Sequence, residues 1–220
     1  MRSTWIVLAI ASRAAGQEPA PETGSAFVRH ATEAVISVLA SCEKHREGDW
    51  HPTPDLVRQM MLEADNFAPI ASSWCGWHLP AWLAPASMLK EGGGHNLRCE
   101  GSAGFFGFRP ATYYKFSKRL ELPVPEEGMF ESPGLFRLGV CEYMRDHPIY
   151  SVRAYFGLMA FYAQRQGGDL QRMLTTYRWG DKQPQHAVYE WSFARVARNA
   201  GWYIPRDWKL SRNRPKMGSR

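Results

Sequence analysis

Apolar residues recur at helical spacing through most of the chain. Phe27, Ala31, Ala34, Val35, Val38 and Cys42 fall on one stripe, which predicts an amphipathic helix over 25–46 with Ser25 as its cap. Thr53-Pro54-Asp55 predicts a second start, with Pro54 in the first helical position, and Leu56, Met60 and Ala64 keep the period. Residues 67–78 show no period and are expected to be irregular. A third helix spans 80–91, with Pro85 either moving its start toward Ala84 or kinking it. Residues 112–120 form another, and 121–128, with Pro123 and Pro125, form a loop. Residues 133–147 are helical up to Pro148. Val152, Phe156, Met159 and Ala163 share one face of a helix over 149–165. Gln166-Gly167-Gly168 breaks it, and Asp169 caps the helix that carries Tyr177. The last helix spans 184–200 and stops at Gly201. No alternating strand run and no internal repeat is seen, so the expected fold is mainly α.

The ends differ from this pattern. Residues 1–17 resemble a signal peptide: Arg2, a short apolar run from Trp5 to Ala11, then small residues Ala14-Ala15-Gly16. Arg13 sits awkwardly for cleavage, and an ordinary first helix is the alternative reading. Residues 18–24 read as a Pro-containing linker, and 25–78 as a helical prefix packed on the domain C-terminal to it. No stretch approaches the ~20 apolar residues that a membrane span requires.

The stretch Met88 to Tyr113, MLKEGGGHNLRCEGSAGFFGFRPATY, carries the candidate chemistry. Gly92-Gly93-Gly94 propagates a helix poorly, so the helix should stop near Glu91 and leave its carboxylate at the rim of a cleft. Gly101, Gly104 and Gly107 let other atoms approach the backbone.

These residues resemble the catalytic segment of lytic transglycosylases. That family has an apolar helix ending in Glu-Ser or Glu-Gly, then Gly-Ala-x-Gly, then an apolar turn ending Pro-x-Thr or Pro-x-Ser. Here stand Glu91-Gly92, Gly101-Ser102-Ala103-Gly104, and Phe105 through Pro110-Ala111-Thr112. The family often continues with Gly-Gly-Asn/Asp-Leu, a short helix and Tyr-Asn-Ala-Gly; here stand Gly167-Gly168-Asp169-Leu170 and Tyr177-Arg178-Trp179-Gly180. The resemblance implies a lysozyme-like helical domain over 79–205, without cofactor or metal.

It also implies an activity: cleavage of the bond between N-acetylmuramic acid and N-acetylglucosamine in peptidoglycan. One carboxyl first protonates the leaving oxygen, then deprotonates the sugar's 6-hydroxyl, giving a 1,6-anhydro end. Such a carboxyl must hold its proton near neutral pH, which an apolar setting favours. By resemblance Glu91 takes this role, with Gly104, Phe105, Phe106 and Tyr177 at the substrate. An exposed glutamate at a helix end and a core tyrosine are the plainer readings of Glu91 and Tyr177. Arg178-Trp179 replaces the family's Asn-Ala, and Gly107 stands where many members carry Gln. Glu100 is the nearest other carboxylate, either a loop charge or the second acid of a hydrolase. A lysozyme-type hydrolase and an inactive wall-binding protein are therefore the alternatives. His95 reads as a surface residue, and Ser72, Ser73 and Cys75 show no nucleophile arrangement.

Composition and charge add partners and compartment. The 220 residues suit one domain with extensions, and nine Trp and nine Tyr suit a sugar cleft as well as a core. Net charge is +6, and residues 206–220 hold six basic residues against one acid, reading as a solvated tail drawn to polyanions. No base-reading motif, P-loop, dinucleotide fingerprint or HExxH is present, so no nucleic-acid partner is expected. Cys42, Cys75, Cys99 and Cys141 contain no CxxC pair, and two disulfides or buried thiols both fit. A Cys75–Cys99 bridge would staple the Glu91 segment. The Arg2-then-apolar start and the even cysteine count lead us to expect export to the periplasm or cell surface; the resemblance implies glycan strands as partner, with passage of a cell-envelope secretion apparatus as one setting.

Overall fold

A computed structural model describes residues 24–41, 51–92, 94–96, 101–179 and 187–212. Among them are eight helices: α1 (Gly24–Ser41), α2 (Pro54–Cys75), α3 (Leu83–Gly92), α4 (Pro110–Arg119), α5 (Pro133–Asp146), α6 (Pro148–Arg165), α7 (Leu170–Trp179) and α8 (Ala187–Asn199). Only isolated bridges represent β pairing among the described residues. The fold is mainly α. The expected signal peptide lies outside the described residues, as do all but the last residue of the expected linker.

The central element is α6. Pro148, Ser151, Val152, Ala154–Ala160 and Ala163 are buried, so the helix is enclosed nearly all round. Pro148 opens α6 as well as ending α5, because a proline needs no hydrogen-bond acceptor in a first turn. The long α2 packs along α6, and α1 packs on α2. Phe27, Ala31 and Val35 of α1 belong to the same apolar cluster as Leu83, Met88 and Phe156. The expected prefix is thus part of one core rather than a layer added to it.

Two further expectations change. Residues 67–75, read as irregular, continue α2. Thr53 accepts a hydrogen bond from the Leu56 amide at 3.2 Å, and Gly76 ends the helix at φ 73°. An interior proline costs a helix about 3 kcal/mol. Pro69 is tolerated on the exposed side while Ala64, Ala68, Ala71 and Cys75 are buried on the other. In α3, Pro85 falls within the first turn, where its missing N–H has no partner to lose.

The second change is at the basic tail, whose residues 206–212 return to the body. The His78 amide donates to the Ser211 carbonyl at 2.8 Å, Leu210 to Gly168 at 2.9 Å and Leu170 to Trp208 at 2.8 Å. Leu210 is buried, and the Arg212 guanidinium lies 3.9 Å over the Trp77 ring. Gly168, at φ +75°, lies under that ring; a Cβ there would fall 2.3 Å from Trp77 Cε3.

Of the two readings left open for the cysteines, a buried thiol holds at Cys75, so no Cys75–Cys99 staple forms. Cys75 is a free, buried thiol whose S–H donates to the Trp77 carbonyl at 3.4 Å, and burial raises its pKa. Cys141 is in a disulfide whose other half lies outside the described residues.

Gly167 and Gly168 separate strain from collision. Both have positive φ, but a Cβ on Gly167 meets open space. Gly168→Ala should therefore destabilise the fold by at least ~1 kcal/mol more than Gly167→Ala. Thermal unfolding followed by circular dichroism checks this. Equal melting points for the two variants would show that the tail does not depend on this contact.

Candidate active site around Glu91

Glu91 is the penultimate residue of α3, a helix whose residues 83–89 are all buried. Ser87 shares a 2.6 Å hydrogen bond with the Tyr155 hydroxyl, which also donates to the Leu83 carbonyl at 3.2 Å. These bonds fix α3 against α6. The Gly94 amide donates back to the Met88 carbonyl at 3.2 Å, closing the helix end. The Glu91 side chain is only 7% exposed, so it is not the free surface glutamate of the plainer reading.

Opposite Glu91 stands the aromatic turn. Ala103 and Phe108 exchange backbone hydrogen bonds of 2.9 and 3.1 Å, and the Gly107 amide donates to Gly104 at 3.3 Å. Gly107 has φ +59°, and a Cβ there would sit 3.3 Å from Glu91 Oε2. The turn therefore presses bare backbone against the carboxylate, and a side chain at this position would need the Glu91 carboxylate to give by a few tenths of an ångström. Gly104 supplies the other positive φ of the turn and is buried.

Phe105 and Phe106 are fully buried. Phe106 stacks on Tyr155, ring centroids 4.7 Å apart, and its carbonyl accepts the Tyr177 hydroxyl. They hold up the site from beneath. Tyr177 of α7 is half-buried, edge-on to Phe108 at 6.2 Å and to Tyr155 at 5.7 Å.

Two neighbours of Glu91 were not among the expected site residues. Tyr189 of α8 donates to Glu91 Oε1 at 2.5 Å, while the Lys90 ammonium lies 4.9 Å over its ring. Arg178, which replaces the family's Asn, places Nη1 3.3 Å from Glu91 Oε2. Arg178 is 46% exposed, so this ion pair is worth at most ~1 kcal/mol. In sequence, Tyr189 shares an apolar face with Phe193 and Ala197, but nothing there ties that face to Glu91.

The remaining polar groups are structural. Glu190 is 2% exposed and accepts from the Gln171 amide and the Thr175 hydroxyl, joining α7 to α8. His95, expected at the surface, is buried with its ring 4.6 Å from that of His51. Ser72 donates to the Ala68 carbonyl and accepts from the Leu79 amide. Glu100 lies outside the described residues.

Burial raises the pKa of Tyr155, Tyr177 and Tyr189 above the ordinary 10.0, and the nearby Glu91 charge raises it further. Their hydroxyls are thus neutral donors at physiological pH. The linkage has one sign: an unfolded tyrosine ionises near pH 10 and these do not, so stability is full below that pH and falls as pH rises above it. An alkaline titration should show exposed tyrosines ionising first. The buried ones should ionise together with loss of helical signal. A single tyrosinate step ahead of unfolding would contradict the enclosure described here.

No family model matches the chain, nor does any curated protein or solved structure. The likeness to lytic transglycosylases rests on the residues of its two short sequence blocks alone.

Proposed function

We propose that the chain is an exported peptidoglycan lytic transglycosylase, with a lysozyme-like arrangement of helices, in which Glu91 is both acid and base. The observation that carries this reading is the convergence on one carboxyl. A helix end, a glycine turn and two tyrosine-bearing helices all meet at Glu91, and the tyrosine of the second block stands beside it. Glu190, the buried carboxylate next to Tyr189, already holds Gln171 and Thr175, so it offers no second acid. The Cys141 disulfide fits an oxidising compartment.

The geometry divides the labour. Tyr189 holds Oε1 in place, and the Gly107 backbone walls off one side of Oε2. Arg178 meets Oε2 by a long, exposed contact that a sugar oxygen can displace. When Glu91 gives its proton to the leaving oxygen, Tyr189 stabilises the carboxylate left behind, and Arg178 returns to Oε2 as the leaving group departs. That carboxylate then takes the proton of the 6-hydroxyl as the 1,6-anhydro ring closes. Phe105, Phe106 and Tyr155 exclude water beneath it, which strengthens these interactions.

One observation favours a second reading. Both Glu91 oxygens are engaged, and a cation stands beside a group that must donate a proton. A wall-binding protein that does not cut would also look like this.

Glu91→Gln tests the choice. The amide keeps the shape and can still accept from Tyr189, but has no proton to give. Release of soluble fragments from purified sacculi should fall ~100-fold or more, with sacculus binding retained. Equal release by the variant and the parent would remove Glu91 from the chemistry. Binding without release by the parent would establish the non-cutting protein.

A further inference from the structure

The outer side of α2 is apolar where a solvent-facing helix is normally polar. Phe67, Ile70 and Trp74 recur at i, i+3 and i+7 and so share a face. Ile70 is 46% and Trp74 48% exposed, and Phe67 packs edge-on against the Trp74 ring at 5.4 Å. Beside this stripe runs an open groove of about 470 Å³, lined by Phe67, Trp74, Arg119, Leu120, Leu122 and Arg153, with one acid, Glu121, on its wall. A smaller recess of about 140 Å³ continues it past Trp74 and Leu120 to Phe116 and Phe161. Arg153 is already paired with Glu63 at 2.6 Å. The Arg119 guanidinium only lies against the rings of Phe116 and Phe161, 5.7 and 5.5 Å away; no carboxylate pairs with it among the described residues. Its helix, α4, adds Lys115 and Lys118 and contains no acid.

The opposite kind of surface stands on the same chain. A 3-10 turn, Glu127–Met129, leads into α5, and the first turns of α5 are largely exposed. The inner side of this arm is anchored. Phe130 lies over Gly139 and edge-on to Phe136, whose ring meets Tyr114 of α4 at 5.0 Å. Its outer side leaves Met129 75%, Leu135 47% and Leu138 45% exposed. Leu135, Leu138 and Glu142 recur at i, i+3 and i+7, and Glu142 is exposed with no cation paired to it among the described residues. Glu126, Glu127 and Glu131 make the tip acidic.

From this complementarity we infer that the chain pairs with a second copy of itself, the α5 arm of one copy lying in the α2–α4 groove of the other. Leu135 and Leu138 cover Trp74 and Ile70, and Glu142 meets Arg119. Each half supplies what the other lacks: an apolar ridge with acids, and an apolar groove whose rim carries Arg119, Lys115 and Lys118 against the single acid Glu121. Because α4 both borders the groove and anchors the arm, a two-fold arrangement satisfies both contacts in each copy. Charge complementarity sets the register, while the tryptophan and leucines supply most of the affinity. This inference does not depend on the reading of Glu91.

Sedimentation velocity on the full chain, over a range of concentrations and at two salt levels, tests it. The parent should dimerise, less tightly at high salt. Trp74→Glu in the groove and Leu138→Glu on the arm both alter exposed side chains, so helical content should hold. Each should raise the dissociation constant roughly thirtyfold or more. Mixing the two variants leaves one groove and one arm intact, so a mixed dimer should form where neither variant alone pairs. Arg119→Glu and Glu142→Arg should likewise each weaken pairing and restore it when mixed. A parent that stays monomeric at every concentration overturns the inference. So does a dimer indifferent to these variants, or a failure of either mixture to recover pairing.

Discussion

A carboxylate that is 7% exposed must be met by the protein, because burying an uncompensated charge costs several kcal/mol. Around Glu91 that requirement falls on four elements. The α3 helix delivers the group, α8 donates the Tyr189 hydroxyl, α7 brings Arg178, and the 103–108 turn offers backbone without a side chain at Gly107. Displacing α8 or α7 would take away a partner of the carboxylate. The convergence therefore constrains where α7 and α8 stand relative to α3.

The aromatic layer beneath makes that constraint rigid. Tyr155 of α6 is bonded to Ser87, stacked on Phe106 and edge-on to Tyr177, so α3, the turn and α7 all register on one ring. Glu190 then ties α7 to α8 through Thr175 and Gln171. Below the carboxyl the protein is packed, and its open side carries the half-exposed Arg178. The same packing buries Phe105 and Phe106 as support beneath the carboxyl.

Much of the fold was legible in the sequence because local chemistry marked it. Thr53-Pro54, Asp169 and the Gly92–Gly94 run set boundaries that capping and glycine explain. The continuation of α2 past Pro69 was not legible, since the buried alanine stripe that outweighs the proline is weak in hydropathy. Nor was the return of 206–212, because Leu210 and Arg212 are docked by Gly168 and Trp77, distant in sequence. At the site, Glu91, Gly107 and Tyr177 could be singled out from spacing and resemblance. Tyr189 could not, because its position depends on α8 packing on α3. Phe105 and Phe106 look the same in sequence whether an aromatic turn faces a cleft or a core.

The chemistry proposed for Glu91 would leave a mark on its product. If one carboxyl serves as acid and base, the attacking group is the sugar's own 6-hydroxyl and no water enters. Fragments released from purified sacculi by the parent protein should then carry 1,6-anhydro ends, one water lighter by mass than hydrolysed ends. Fragments that have gained water, with no anhydro species, would contradict the single-carboxyl mechanism.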